Sequence, residues 1–225
     1  MHHVHLEQTD STQTRVKEFL SQGNTDILVS TDHQSAGVGR QGAPWSHLDE
    51  ALAFSFDISP NPTITLTPLE IGILLSRFFR PKLSLKWPND LINKKREKIG
   101  GILCQLVGQR VAVGIGLNIK ADTTKLNFDY PVGSLFNFEE QLSSQYKKEL
   151  PFEIVEFIHS HRLTSEGVIN EFQDYCVHQN QDVIILNGKN KESGLFVGLG
   201  KNGEALLKKQ DGLIEAHLTG SLRFN

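Results

Sequence analysis

The chain is poor in cysteine, methionine and long apolar runs. Two cysteines and one methionine occur in 225 residues. Cys104 and Cys176 stand in GGILCQLVG and FQDYCVHQN, far apart, with no C-x-x-C and no metal-ligand spacing. That excludes a cysteine-built metal centre and reads as two reduced thiols of a cytosolic protein. No apolar stretch approaches the ~18 residues of a membrane span. The first ten residues, MHHVHLEQTD, lack the apolar core of a secretory leader. An excess of positive charge is missing too. With 23 Lys and Arg against 26 Asp and Glu, the net charge is −3, so no chain-wide basic field attracts nucleic acid. One local basic run, KKREK (94–98), stands out against this background. Repeats and low-complexity tracts are absent.

What is present has the periodicities of an α+β protein. VHLEQ, DILVSTDHQ, ALAFSFDI, LSLKW, KIGGILCQLVG and RVAVGIGLNI read as strands, with a hairpin turn around Gln109. His2, His3 and His5 are either the frayed start of the first strand or a metal-binding fragment. TQTRVKEFLSQ reads as a short helix closed by Gly23. TPLEIGILLSRFFR reads as a helix capped at Thr67 and stopped by Pro81. From 139 to 180 the pattern is helical and polar, with Pro151 marking a helix start. After 180, short strands separated by Asn-Gly (187–188, 202–203) and Asp-Gly (211–212) predict hairpins and a small β-barrel. The expected division is therefore 1–180 and 181–225.

Residues 37–42, GVGRQG, have G-x-G-x-x-G spacing. A dinucleotide fold needs that loop to open a helix, and the APWSHLDEALAFSF that follows does not make one. Protein-kinase motifs are absent as well. A turn or an anion-binding loop of another fold remains, and Arg40 favours the anion. LKWPNDLINKKREKIGGIL (85–103) adds Lys86, Trp87, Asn89, Asp90 and Lys98 before a Gly pair. Cations there suit a phosphate, and the oxygens of Asn89 and Asp90 suit Mg²⁺. VGIGLNIK (113–120) puts two glycines on a strand, where a flat ligand can approach. Each segment alone reads as a turn, a solvated loop or a bulge. The three together are hard to explain by folding alone.

These residues resemble the biotin protein ligases. That family carries a G-R-G-R-x-G-x-x-W loop, K-W-P-N-D, K-x-x-G-I-L and G-x-G-x-N. The chain has GVGRQGAPW, KWPNDL, KIGGIL and GIGLN in the same order, and QTDSTQ (8–13) is similar to the family's D-S-T-N. The resemblance covers nearly the whole chain. It implies a mixed-sheet, class II synthetase-like catalytic domain with a small C-terminal SH3-like barrel. The implied reaction joins biotin and ATP, with Mg²⁺, into biotinyl-5′-AMP and then passes biotin to a lysine of a biotin carboxyl carrier protein.

By family position, Arg40 and Lys98 are the catalytic cations at the carboxylate and α-phosphate. Ser11, Thr12, Gln34, Gly37 and Gly101 join them around biotin. Trp45, Lys86, Asn89, Asp90, Gly116 and Asn118 belong with Arg40 to the ATP side. Ser11 and Thr12 also read as a helix cap, and Trp45 as core. Three departures stand out. Val38 replaces the family's second loop arginine, Gln13 replaces an asparagine, and the stretch between Asp90 and Lys98 is slightly long. The Gly-Ile-Leu after Lys98 fixes the alignment on that lysine. The chain starts directly at the catalytic part, without the helix-turn-helix that some family members carry, so neither DNA nor a membrane is an expected partner. Family members pair through the central sheet, which leaves a homodimer open. A lipoate or octanoate transferase of the same superfamily is the nearest rival, but its R-R-x-S-G-G-G type loop is absent. A non-catalytic biotin-binding module is the other, suggested by Val38 alone.

Overall fold

The computed structural model describes residues 1–45, 50–120, 130–137 and 143–224. Seven strands form the main sheet: β1 (His2–Thr9), β2 (Ile27–Gln34), β3 (Glu50–Ile58), β4 (Ser84–Lys86), β5 (Asp90–Ile92), β6 (Lys98–Val107) and β7 (Arg110–Lys120). Their order is β1-β2-β3-β7-β6-β5-β4, with β1 and β2 parallel and the remaining pairs antiparallel. The α+β expectation holds: the sheet is mixed, and hairpin connections dominate. The β6–β7 turn is the predicted one, with Gly108 at φ +59°.

Strand alternation decides which face does what. In β2, Leu28 joins the main core, whereas Ile27 and Val29 pack under α1 (Thr12–Ser21) with Val16 and Ala112. In β3, Phe54, Phe56 and Ile58 enter the main core, and Ser55 and Asp57 point the other way. In β7, Val111, Val113, Ile115 and Leu117 are core, so Ala112, Gly114, Gly116 and Asn118 share the α1 side. The main core is closed by α2 (Thr67–Phe78), α3 (Ser144–Ser160) and α4 (Ser165–Tyr175).

Two local readings are corrected. Thr67 does not cap α2. The preceding 3-10 turn, Ile64–Leu66, runs straight into the helix, and Thr67 Oγ1 instead accepts from Asn61 N at 3.1 Å. Pro151 lies inside α3 and does not start it. Burial of Leu150, Ile154, Val155 and Ile158 on one stripe outweighs the hydrogen bond that the proline removes, and Ser143 supplies the cap. Of the expected helical tract, 139–142 lies outside the described residues. The Pro-Asn-Asp turn expected in KWPND falls at 87–89, and Asp90 already begins β5, Asp90–Ile92, a strand that the sequence does not announce.

The C-terminal part is a five-stranded antiparallel sheet of β8 (Asp182–Asn187), β9 (Asn190–Leu199), β10 (Ala205–Lys208), β11 (Ile214–His217) and β12 (Ser221–Phe224). Its order is β11-β10-β9-β8-β12, and β11 and β12 are not paired with each other among the described residues. The predicted turn glycines Gly188, Gly203 and Gly212 all adopt positive φ.

His178 is packed between α4 and β9. It is fully buried between the Phe172 and Phe196 rings, and neither ring nitrogen has a partner. Burial, reinforced by the nearby Lys86 charge, pushes its pKa down to about 3 from 6.5. The unfolded chain therefore takes up a proton near pH 6.5 that the folded chain refuses until about pH 3. Stability from this site is complete above pH 6.5 and drains as the pH falls towards 3, by about 5 kcal/mol in all. His178→Leu should flatten that slope and raise the urea midpoint at pH 7, because two unsatisfied buried polar atoms disappear. Urea titrations at pH 7 and pH 4.5 check both outcomes.

Candidate active site

On the α1 side of the sheet a cleft of about 530 Å³ opens between the β2–β3 loop, the β4–β6 segment and β12. Its floor is a consequence of strand period. Gly101 of β6 pairs directly with Gly116 of β7, and both present no side chain. A Cβ on Gly116 would lie 2.5 Å from Trp45 Cε2, so the indole rests on bare backbone. The Trp45 Nε1 is buried and unpartnered.

The loop that holds Trp45 is a tight finger. Val38 bridges to Pro44, Gly39 N donates to Ala43 O at 2.7 Å, and Trp45 N donates to Gly37 O at 2.8 Å. Gln41 (φ +55°) and Gly42 (φ +76°) turn its tip. Arg40 leaves the tip to donate to Asn89 Oδ1 at 3.3 Å and to Gly220 O of the C-terminal part at 3.4 Å. Burial pulls its pKa down, partly offset by Asp90. Gly37 is packed beneath the finger, where a Cβ would come within 3.0 Å of Gln34 Nε2 and of Trp45 O.

One end of the cleft is polar but uncharged. Ser11 caps α1 and is nearly buried. Thr12 donates to Gln34 Oε1 through both its backbone N (2.8 Å) and its Oγ1 (3.0 Å), and Ser55 Oγ lies 2.9 Å from that hydroxyl. Because Gln34 Oε1 takes two donors, its Nε2 faces the other way, towards Gly37.

The other end is cationic. Asp90 is held between Lys98 Nζ at 2.6 Å and Lys86 Nζ at 2.7 Å. Burial alone would raise the Asp90 pKa, but the charges of Lys98 and then Lys86 overcome it and hold the carboxylate below its usual range. Both oxygens are taken by ammonium groups, a setting that does not suit a divalent cation. Lys98 Nζ also lies 5.5 Å from the Tyr130 ring centre. Asn89 Nδ2 donates to Ile102 O at 2.8 Å, which fixes the side-chain oxygen towards Arg40.

Of the residues singled out from the sequence, Ser11, Thr12, Gln34, Arg40, Trp45, Lys86, Asn89, Asp90, Lys98, Gly101 and Gly116 line this one cleft. Gly37 and Asn118 do not. Asn118 Nδ2 donates to Gly133 O at 3.0 Å and to Lys98 O at 3.4 Å, so it ties the 131–135 segment to the start of β6. Sequence reading missed Ser55, Arg96, Tyr130 and the β12 side chains Arg223 and Phe224, which also border the cleft. Ser55 was findable as the polar position in ALAFSFDI. The His2, His3 and His5 run lies in β1, where His3 and His5 reach Ser30 Oγ at 2.7 and 3.0 Å. Among the described residues no group of three or more His, Cys, Asp or Glu is placed to hold a metal. Both cysteines are free, and burial pushes each thiol up to about 12.

Comparison with known proteins gives consistent similarities. Residues 5–79 match the model of the biotin/lipoate A/B protein ligase family. The biotin protein ligase from Aquifex aeolicus in complex with biotin and ATP superposes with a TM-score of 0.76 at 26% identity, over 99% of this chain and 97% of that one. The chain is similar to this family over its first third and to a biotin protein ligase in fold over nearly its whole length. Among curated relatives, the bifunctional ligase/repressor BirA of Escherichia coli is 25% identical over 95% of this chain and 71% of its own length. The biotin–protein ligase of Schizosaccharomyces pombe is 27% identical over 79% of this chain but only 34% of its own length. In this chain the glycine finger with Arg40 and the KWPND–KIGGIL hairpins are the segments that build the cleft.

Proposed function

We propose that the chain is an ATP-dependent biotin protein ligase acting on a lysine of a biotin carboxyl carrier protein. One observation carries the reading: a single cleft has Ser11, Thr12 and Gln34 at one end and converging Arg40, Lys86 and Lys98 at the other. The uncharged end suits a ureido ring, which needs neutral donors and acceptors. The cationic end suits a carboxylate meeting a triphosphate.

In the first step a biotin carboxylate oxygen attacks the α-phosphorus of ATP. The new O–P bond forms as the bond to the bridging oxygen breaks, and pyrophosphate leaves with that electron pair. Both reactants are anionic, so the fixed cations of Lys98 and Arg40 lower the approach barrier and oppose the charge that grows on the α-phosphoryl oxygens. Magnesium enters as MgATP and is a companion of the substrate. In the second step the neutral ε-amine of the carrier lysine attacks the acyl carbon, the C–N bond forms as the C–O bond to the phosphate breaks, AMP leaves with that electron pair, and the amine's proton is released to water. The Trp45 finger, lying over Gly116, shields the mixed anhydride from water. We take 1–180 as the catalytic part and 181–225 as an SH3-like barrel, supported by three glycine-turned hairpins, and place the protein in the cytoplasm.

Incubating the chain with biotin, MgATP and a purified carrier domain should add one biotinyl group to a single carrier lysine, read by intact-protein mass spectrometry. A carrier that stays unmodified, or that accepts only octanoyl or lipoyl groups, would overturn the assignment.

A further inference from the structure

We propose that Asp90 is a positioning residue: its carboxylate holds Lys86 and Lys98 in reacting geometry and contacts neither substrate nor magnesium itself. The inference rests on the ligase reading above. Strand register puts Asp90 at the centre of the arrangement. It pairs directly with Lys86 across β4 and β5 and with Gly101 across β5 and β6, and Lys98 begins β6. Each oxygen takes one ammonium, Oδ1 from Lys98 at 2.6 Å and Oδ2 from Lys86 at 2.7 Å. The carboxylate side chain is only 17% exposed, so solvent screens these contacts little. A divalent cation on either oxygen would have to stand against two ammonium groups.

Lysine is a flexible chain with a compact charge, and two such charges in one cleft repel. Among the described lining residues Asp90 is the only acid, against Arg40, Lys86, Arg96, Lys98 and Arg223. Without it, Lys86 and Lys98 would swing apart into solvent, and an incoming phosphate would have to order them during the reaction. With it, both are placed before substrate arrives, and the ordering cost falls outside the chemical step. The sequence alone put Asp90 on the ATP side and left its contact with magnesium open; its role there is indirect.

The test is adenylate formation by the full chain and by the variants Asp90→Asn, Lys98→Ala and the double variant. Asp90→Asn should lower kcat by about 10–100-fold with little change in the KM for biotin, and the magnesium dependence should stay where it is. In the Lys98→Ala background the same change should cost clearly less than it does in the wild type, because only its action through Lys86 remains. Asp90→Glu keeps the charge, moves it by one methylene and should fall between the two. That variant reads the same coupling if Asp90→Asn fails to fold. Losses that multiply fully in the double variant would overturn the positioning role, as would a shift of Asp90→Asn to higher magnesium demand. A wild-type chain that forms no biotin adenylate at all would instead sink the ligase reading, so the two failures are separable.

Discussion

Lys98→Ala should lower biotinyl-adenylate formation by about 10²–10³-fold, the usual loss when one charge-stabilising contact is removed from a transition state. Lys98 is the residue at which several structural lines meet. Its backbone is fixed by Pro131 O at 2.8 Å on one side and by Gly133 N at 2.9 Å on the other. Its ammonium is aimed by Asp90. A cation there attracts the ground-state anions weakly and the developing charge strongly, so the loss should fall on kcat and kcat/KM more than on the biotin KM. The fold should survive, because the lysine side chain is 27% exposed and Asp90 keeps Lys86 as a partner. Rates of biotin-dependent pyrophosphate release, with thermal melts as a control, decide it. Wild-type rates in the variant would remove Lys98 from the chemistry.

Gly100→Ala should give the largest loss of stability of any single methyl addition in the β6–β7 pair. The added Cβ would lie 2.3 Å from Gly116 O and 2.9 Å from Leu117 Cδ2. The first neighbour is backbone inside the central ladder, so it cannot swing aside. The β6 and β7 strands must separate, at a cost of about 1–3 kcal/mol or more, which in a chain of this size lowers Tm by several degrees. Gly101→Ala is the matched comparison. There the nearest atoms are Asn89 O at 3.7 Å and Lys98 Cε at 4.0 Å, so the methyl fits and projects into the cleft. That variant should melt like wild type and bind biotin and ATP more weakly. Equal melting temperatures for the two would contradict the packing described here.

Neighbouring glycines with such different tasks mark where sequence reading stops. The motif KIGGIL shows that both positions are glycine. Only the register, Gly100 opposite Leu117 and Gly101 opposite Gly116, shows that one faces the core and the other the cleft. The even-numbered face of β7 was legible from period two, and with it the bare floor under Trp45. Most of the cationic end was legible because Lys86, Asn89, Asp90 and Lys98 stand in one segment, whereas Ser55 of the neutral end stands in a separate strand and was missed. The contribution of the C-terminal part was not. Gly220 accepts from Arg40, Arg96 lies 4.2 Å from the Phe224 ring centre, and Trp87 Nε1 donates to Gly203 O at 3.0 Å. Each of these contacts spans more than a hundred residues, and no local pattern encodes a partner at that distance. Asn118 shows a different limit. Its motif gives no hint that its amide holds the 131–135 segment beside Lys98.

Mixing the purified chain with biotin and MgATP, without any acceptor protein, and searching for biotinyl-AMP by mass spectrometry tests the central claim most directly. Octanoate and lipoate run in parallel. The account predicts adenylate from biotin and none from the two fatty acids, despite Val38 in the glycine finger. Adenylate from a fatty acid alone, or biotin bound with no adenylate and no pyrophosphate, would contradict it.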